Sequence, residues 1–467
     1  MDLDNQVYYH SIKASAIHTF APELLAKIFL HCLDDEYRHS TRCVSQAPLL
    51  LGRVCRTWRT VSVSSPDLWS RIVMVDSELS KIDCKKDLVA TELWLSRSGS
   101  RPLSICIDYD GKRGSEAFPQ LLRLLASQSS RWAEVKMTIP PKFDNIMLAP
   151  FQTGQVPQLE CFDITEIQLA DVVYSFALSS APRLQEFRYY NDFGGGHIDF
   201  GGQTHRIKKI DIVFEMGIDS DSEMEMLGLS LGDLLTCLTN CPLLEQLNIP
   251  FTKPWTNPAQ ETPTIIELSH LRGLALNLSP GIDPGFLFDI LFLPALKFLT
   301  IYMEHSGNRY TDWPHLRSML KRSRPPLQHL RVAVPMTEAT LIESLSYIPS
   351  LTFLSYGRVD CTDSILDSLA LGKSDSTKNL CPSLQTIDFG LNFYGDNMPF
   401  SPNAMIAMIL SRRQHAESTS GKVLEAVRGG AFKFDSVSSN PDIAKCVDKG
   451  LKLGYGHQGR RHPIDLP

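Results

Sequence analysis

An α/β solenoid of strand-helix units, led by a small helical module, is the fold class that the sequence predicts. Three observations carry it. A Leu-x-x-Leu-x-Leu pattern returns ten times between residues 132 and 389, with first positions 27, 25, 23, 37, 27, 25, 31, 24 and 33 apart. Apolar runs of helical period fall between successive copies. Ahead of the copies, residues 20–69 hold two apolar helical segments separated by a polar stretch. A strand followed by a helix at this period marks units that bury their apolar face only by stacking on neighbours.

Composition sets the bounds. The chain has 467 residues, 43% hydrophobic and 21% charged, which is enough apolar material for large cores. A net charge of −6 without clustered Lys and Arg argues against nucleic acid as the main partner. Residues 1–9 carry Asp2 and Asp4 and no apolar stretch, so no secretory signal is expected. The most apolar run, 286–299, is broken by Asp289 and Pro294 and is too short to span a bilayer. Eleven scattered cysteines, an odd count, fit reduced thiols. The expectation is a soluble, intracellular protein, cytoplasmic or nuclear.

The sequence divides into a flexible N-terminus (1–18), the helical module (19–70), the repeat array (71–415) and a C-terminal cap and tail (416–467). Pro22 can open a helix because the first helical position needs no N–H. Leu25, Ile28, Phe29, Cys32 and Leu33 follow at helical spacing. Residues 34–46 are polar and read as a loop. Helical character is expected again over 47–62, with Leu50, Leu51, Val54, Cys55, Trp58 and Val61 on one stripe, weakened by Gly52 and ended by Pro66. Strands are expected at 71–75 and 102–109, and helices at 88–98 and 118–127.

The ten pattern copies start at Trp132, Leu159, Leu184, Ile207, Leu244, Leu271, Leu296, Leu327, Leu351 and Leu384. Helices are expected between them at 172–178, 231–238, 286–291, 316–320, 341–345 and 365–371, and after the last at 404–410. Residues 424–434 read as one more edge strand, and 443–453 as a closing helix. The wide spacing before Leu244 holds an acidic insertion, Asp219-Ser220-Asp221-Ser222-Glu223, whose serines could accept phosphate.

No chemistry-bearing motif emerges. Cys237 and Cys241 lie one helical turn apart, lack a His pair, and Cys241 recurs as Cys381 just before a repeat proline, so packing is the expected role. The glycine-rich stretch 192–202 has no Walker lysine and reads as a loop. No G-x-S-x-G nucleophile motif occurs.

A binding face follows from strand alternation. If the patterned residues face the core, the residues between them face the concave side. These include Arg188 and Tyr190, Asn248, Phe298 and Tyr302, His329 and Arg331, Phe353 and Ser355, and Thr386 and Asp388. A mixture of aromatic, Arg and amide groups suits protein recognition.

The ordered set Pro22-Glu23-Leu24-Leu25, Pro48-Leu49-Leu50-Leu51, Val54-Cys55-Arg56-Thr57-Trp58-Arg59 and Pro66-Asp67-Leu68-Trp69 resembles the F-box. It departs from the family at Ala21, where leucine or a second proline is common, and in its long 34–46 linker. That linker resembles F-box proteins of mushroom-type fungi. The repeats resemble irregular leucine-rich repeats, most of them lacking the asparagine of regular units. The resemblance implies a three-helix module that docks a Skp-family adaptor and, through it, a cullin scaffold. The expected adaptor-binding residues are Pro22, Leu25, Ile28, Phe29, Leu50, Val54, Trp58, Leu68 and Trp69, some of which must hold the module together, so that about half are expected to touch the adaptor. Arg188, Tyr190, Asn248, Phe298, Tyr302, Arg331 and Phe353 are expected to contact an unknown target protein. No enzyme activity, cofactor, metal, nucleic acid or membrane is expected. The alternative is a leucine-rich-repeat scaffold outside any ubiquitin ligase, with the module capping the first repeat.

Overall fold

The computed structural model describes residues 17, 20–34, 37–77, 81–111, 116–166, 174–191, 196–214, 229–253, 264–278, 282–303, 312–359, 361–372, 379–389, 400–419, 421–429 and 434–455. The acidic insertion at 219–223 and residues 192–195 of the glycine-rich stretch lie outside them. The chain is α/β with parallel sheet and forms two compact units, Met1–Ile167 and Gln168–Pro467.

The first unit opens with helix α1 (Pro22–Leu30), which starts on Pro22 and buries Leu25 and Phe29, one turn apart. The single helix expected over 47–62 is instead two pieces. A 3-10 turn covers Leu51–Arg53, and α2 covers Arg56–Val63. Between them Cys55 is fully extended (φ −157°, ψ 175°), and its Sγ accepts from Trp58 N at 3.5 Å. Gly52 is a poor helix former, and a side chain that caps N3 favours a fresh start there. A second 3-10 turn, Pro66–Trp69, closes the module, so two α-helices and two short turns stand where three helices were expected.

Strand β1 (Arg71–Met74), α3 (Cys84–Ser98), β2 (Leu103–Asp108), α4 (Ala117–Ala126), β3 (Trp132–Ile139), α5 (Asp144–Gln152) and β4 (Cys161–Glu166) follow. The strands pair in parallel in the order β1-β2-β3-β4. The register aligns Ile72, Ile105, Val135 and Phe162, and in a second row Met74, Ile107, Met137 and Ile164. All eight are buried. These β-branched and long apolar side chains fill the face under the helical crossovers, while the alternate residues Ser104, Cys106 and Lys136 are only half-buried on the other.

The second unit repeats this build. Its elements are β5 (Tyr174–Ala177), β6 (Glu186–Asn191), β7 (Gly196–Asp199), β8 (Lys209–Phe214), β9 (Leu229–Ser230), α6 (Leu231–Asn240), β10 (Gln246–Lys253), β11 (Ile266–Glu267) and β12 (Gly273–Leu278). Then come α7 (Gly285–Ile290), β13 (Leu291–Phe292), β14 (Phe298–Met303), α8 (His315–Ser323), β15 (His329–Met336), α9 (Glu338–Ser346), β16 (Phe353–Val359) and α10 (Asp363–Leu369). The last are β17 (Thr386–Asp388), α11 (Pro402–Thr419), β18 (Ala426–Gly429), α12 (Asp435–Ser438), α13 (Pro441–Asp448) and β19 (Lys452–Tyr455). The main sheet runs β6-β8-β10-β12-β14-β15-β16-β17-β18-β19, with β9 beside β10, and β5-β7 and β11-β13 form separate parallel pairs. The second apolar position of the last six pattern copies stacks into one ladder, Leu247, Leu274, Leu299, Leu330, Leu354 and Ile387, every member buried. This strand-by-strand stacking is compatible with a solenoid.

Two further expectations fail, both in this unit. Residues 172–178 are not helical among the described residues; 174–177 form β5, where Phe176 packs on Phe187 and Tyr189 with ring centroids 5.0 and 5.1 Å apart. A short aromatic run suits a strand. The closing helix expected at 443–453 stops at Asp448, and Gly450 turns left-handed (φ +92°), releasing the chain into β19. The strand at 426–429 is therefore interior, with β19 beyond it.

Candidate functional site

The helical module has a core of its own. Leu25, Phe29, Leu68 and Trp69 are at most 1% exposed. The Phe29 and Trp58 rings meet at 4.9 Å and pin α1 to α2. Trp69 Nε1 donates to Ser62 O at 2.8 Å, its ring lies edge-on to Trp94 of α3 at 4.6 Å, and Arg97 sits over it at 4.2 Å. Burial in the module leaves Leu25, Phe29, Leu68 and Trp69 no outward surface, so these four belong to the share of the set that holds the module together. Trp58 is half-buried, and Pro22 is exposed. Ile28 (37% exposed), Leu50 (44%) and Val54 (54%) remain outside, together with Leu24 (52%), which the sequence reading passed over. Leu24 and Ile28 are four residues apart, so they share the outer face of α1.

The polar linker binds the module to the sheet. Thr41 N donates to Val73 O at 2.8 Å, and Val73 N donates back to Thr41 Oγ1 at 2.6 Å, so the linker covers the free edge of β1. Arg42 pairs with the buried Asp87 carboxylate, and Arg71 Nη1 donates to Asp34 O at 2.8 Å. Tyr37 reaches over the sheet face, where its hydroxyl donates to Glu134. Arg71 and Lys136 flank its ring at 5.1 and 5.5 Å. Burial, followed by the Glu134 contact, pushes the Tyr37 hydroxyl up to about 12.

In the second unit, the face opposite the leucine ladder carries the other expected residues. Adjacent strands β14, β15 and β16 align Phe298, His329 and Phe353. Their rings meet in a row, tilted by 47° at 5.0 Å between Phe298 and His329 and stacked at 5.5 Å between His329 and Phe353. Arg331, one step along β15, lies 5.7 Å from the Phe353 ring and is exposed. Burial, then the nearby Arg331 charge, holds the His329 imidazole below its ordinary pKa. Phe298, Arg331 and Phe353 are thus brought together. Tyr302 is four residues further along β14, whereas Arg188 and Tyr190 lie on β6, several strands away. Asn248 on β10 donates to Asp211 at 2.8 Å. Ser355 and Asp388, read as surface, are 1% and 8% exposed and do not present themselves.

Cys237 and Cys241 are buried, and the thiol contact between them, with burial, raises the Cys237 pKa well above its ordinary value. Such a thiol is a packing group, not a nucleophile. Gly201 (φ +62°) lies where an added Cβ would come within 2.8 Å of Ser179 Cβ, so glycine is required by a tight turn. No helix among the described residues is long and apolar enough to cross a membrane. The chain matches no protein-family model, and no curated protein matches it in sequence.

Proposed function

We propose that the protein is a non-catalytic substrate receptor of the Skp–cullin–F-box ubiquitin-ligase type. Residues 20–69 would dock a Skp-family adaptor, and the repeats would hold a target. The observation that carries this reading is the exposure of Leu24, Ile28, Leu50 and Val54 on a module whose core is already closed by Leu25, Phe29 and Trp69. Apolar side chains left outside a completed core have a use at an interface. The order of the F-box-like segments in the sequence supports the same assignment. Catalytic gain would come from proximity: a target held beside a conjugating enzyme is presented at raised effective concentration. The chain itself then needs no acid, base or nucleophile.

The test is co-precipitation of the full chain with a Skp-family adaptor. Wild type is expected to bind, and Ile28→Asp with Val54→Asp to bind at least about a hundredfold more weakly with an unchanged circular dichroism spectrum. Failure of well-folded wild type to bind overturns the assignment. The Trp69–Trp94 contact and the Thr41–Val73 pairing favour one second reading, in which the module is an end cap for a scaffold that acts outside a ubiquitin ligase. An adaptor-negative result with intact target capture would select it.

A further inference from the structure

The sheet face that Tyr37 covers in the first unit holds a recess of about 580 Å³, a volume that suits a small ligand or a few residues of a peptide. Its floor is two rows of side chains across β2, β3 and β4. Cys106, Lys136 and Asp163 stand in register in one row, and Asp108, Thr138 and Thr165 in the next, about 7 Å further along the strands. Tyr37 and Val75 add an aromatic and an aliphatic wall. Tyr37 stands at φ +54°, in the left-handed region that residues other than glycine rarely adopt. Such a conformation persists where neighbours hold it, and it collects at ligand clamps. Here the Glu134 hydrogen bond and the flanking Arg71 and Lys136 hold the ring. Adaptor docking on the helical module uses none of these lining groups.

The lining differs from one end of the recess to the other. Both cations gather on Tyr37 and Glu134, where Lys136 Nζ lies 2.6 Å from Glu134 Oε1, so the Lys136 charge is already met. At the far end Asp108 is exposed and makes no hydrogen bond or ion pair among the described residues, with the Thr138 and Thr165 hydroxyls in its row. An anion would have to settle beside that carboxylate. A wholly apolar ligand would strip water from the carboxylate and both hydroxyls without replacing it. A cationic head on an apolar stem satisfies both halves: the stem lies along Tyr37 and Val75, and the head donates to Asp108 and to the threonine oxygens. We propose that this recess binds one guanidinium or ammonium group carried on an aliphatic stem, as in an arginine or lysine side chain or a free polyamine, with Asp108 taking the charge. The proposal goes beyond the receptor reading and does not depend on it.

Fluorescence anisotropy with the full-length protein tests the proposal. The probes are labelled peptides of one glycine-serine scaffold with a single central arginine, lysine, glutamine or glutamate, and unlabelled arginine amide and spermine are the competitors. The arginine and lysine peptides are expected to bind at least about tenfold more tightly than the glutamine peptide, and added salt to narrow the difference. Asp108→Asn, at an exposed position, is expected to remove most of that preference. Thr138→Trp, which fills the recess without changing charge, should weaken binding of both basic peptides, with urea midpoints showing that each variant folds. Glu92→Gln makes the same charge change on the exposed side of α3 and should leave the preference intact. The place of binding is read separately by mapped alkylation. Cys106 lines the recess and reacts slowly because burial pushes its thiol up to about 11; saturating arginine peptide should slow it further and leave exposed Cys32 unchanged. Displacement of the peptide by arginine amide or spermine at matching concentration supports a small free cation as the ligand, and displacement by unlabelled peptide alone supports a protein segment. No binding by any probe, equal binding of the arginine and glutamine peptides, preference for glutamate, an undiminished preference in Asp108→Asn, or an unprotected Cys106 would each overturn the proposal.

Discussion

The hydrogen bond from Tyr37 to Glu134 ties stability to pH. Burial raises the Glu134 pKa, but hydrogen bonds from Lys136 and Tyr37 outweigh it, and the carboxyl ends below its ordinary value. A carboxyl depressed in the folded state stabilises above its unfolded pKa, and that contribution is lost as pH falls through the folded value. Tyr37, pushed up to about 12, stays a donor throughout this range. Tyr37→Phe should therefore lower the unfolding free energy by about 1–2 kcal/mol at neutral pH, with the gap to wild type closing in acid, below the ordinary carboxylate range. Urea titrations of both proteins at the two pH values check this. Arg412 is another residue whose role lies in carbonyls rather than charges. Its guanidinium donates to Leu380 O at 2.8 Å and Cys381 O at 3.0 Å, and burial pulls its pKa down to about 10. Neither role is readable from sequence, because both partners are distant in the chain and one set is backbone.

At the scale of elements, carboxylates link the helix starts of the second unit. Asp312, ahead of α8, accepts from Thr337 N at 3.0 Å and Thr340 Oγ1 at 2.9 Å at the start of α9. Glu338, in the first turn of α9, accepts from Thr362 N at 2.9 Å and Ile365 N at 3.0 Å at the start of α10. Asp363, in the first turn of α10, accepts from Ser401 N at 2.7 Å, just ahead of α11. Each acid meets the orphan N–H groups and positive dipole end of the next helix, so one repeat caps its successor. Asp312→Ala should cost about 1–2 kcal/mol, read as a shift of the urea midpoint, with faster amide exchange at the first turn of α9 than at α13.

The leucine ladder was legible because each strand registers its side chains by alternation, and stacking repeats the same apolar demand at every unit. The helix positions followed for the same reason, with α6, α7, α8, α9 and α10 falling where apolar runs were expected. What escaped depends on local backbone choices. Cys55 interrupts a stripe whose apolar spacing continues through it. Gly450 ends a helix whose hydrophobic residues run on into a strand. The split of 20–69 into core and surface also escaped, because Leu24 and Leu25 are adjacent and chemically alike, and only packing against α2 and the Pro66–Trp69 turn tells them apart.

Over the whole molecule, the covered edge of β1 has one more consequence. A polar connector with Arg38 and Arg42 looks like the first place a protease would cut. Cleavage needs several residues to leave the surface together and enter an enzyme's cleft, and here Thr41 is bonded to Val73 in both directions while Arg42 is locked to Asp87. Limited trypsin digestion is therefore expected to spare Arg42 until the first unit unfolds, and Asp87→Ala to open that bond to early cutting. The bonds of Thr41 and Arg42 splint this part of the connector, so under the proposed function a partner on α1 would take its bearing from β1.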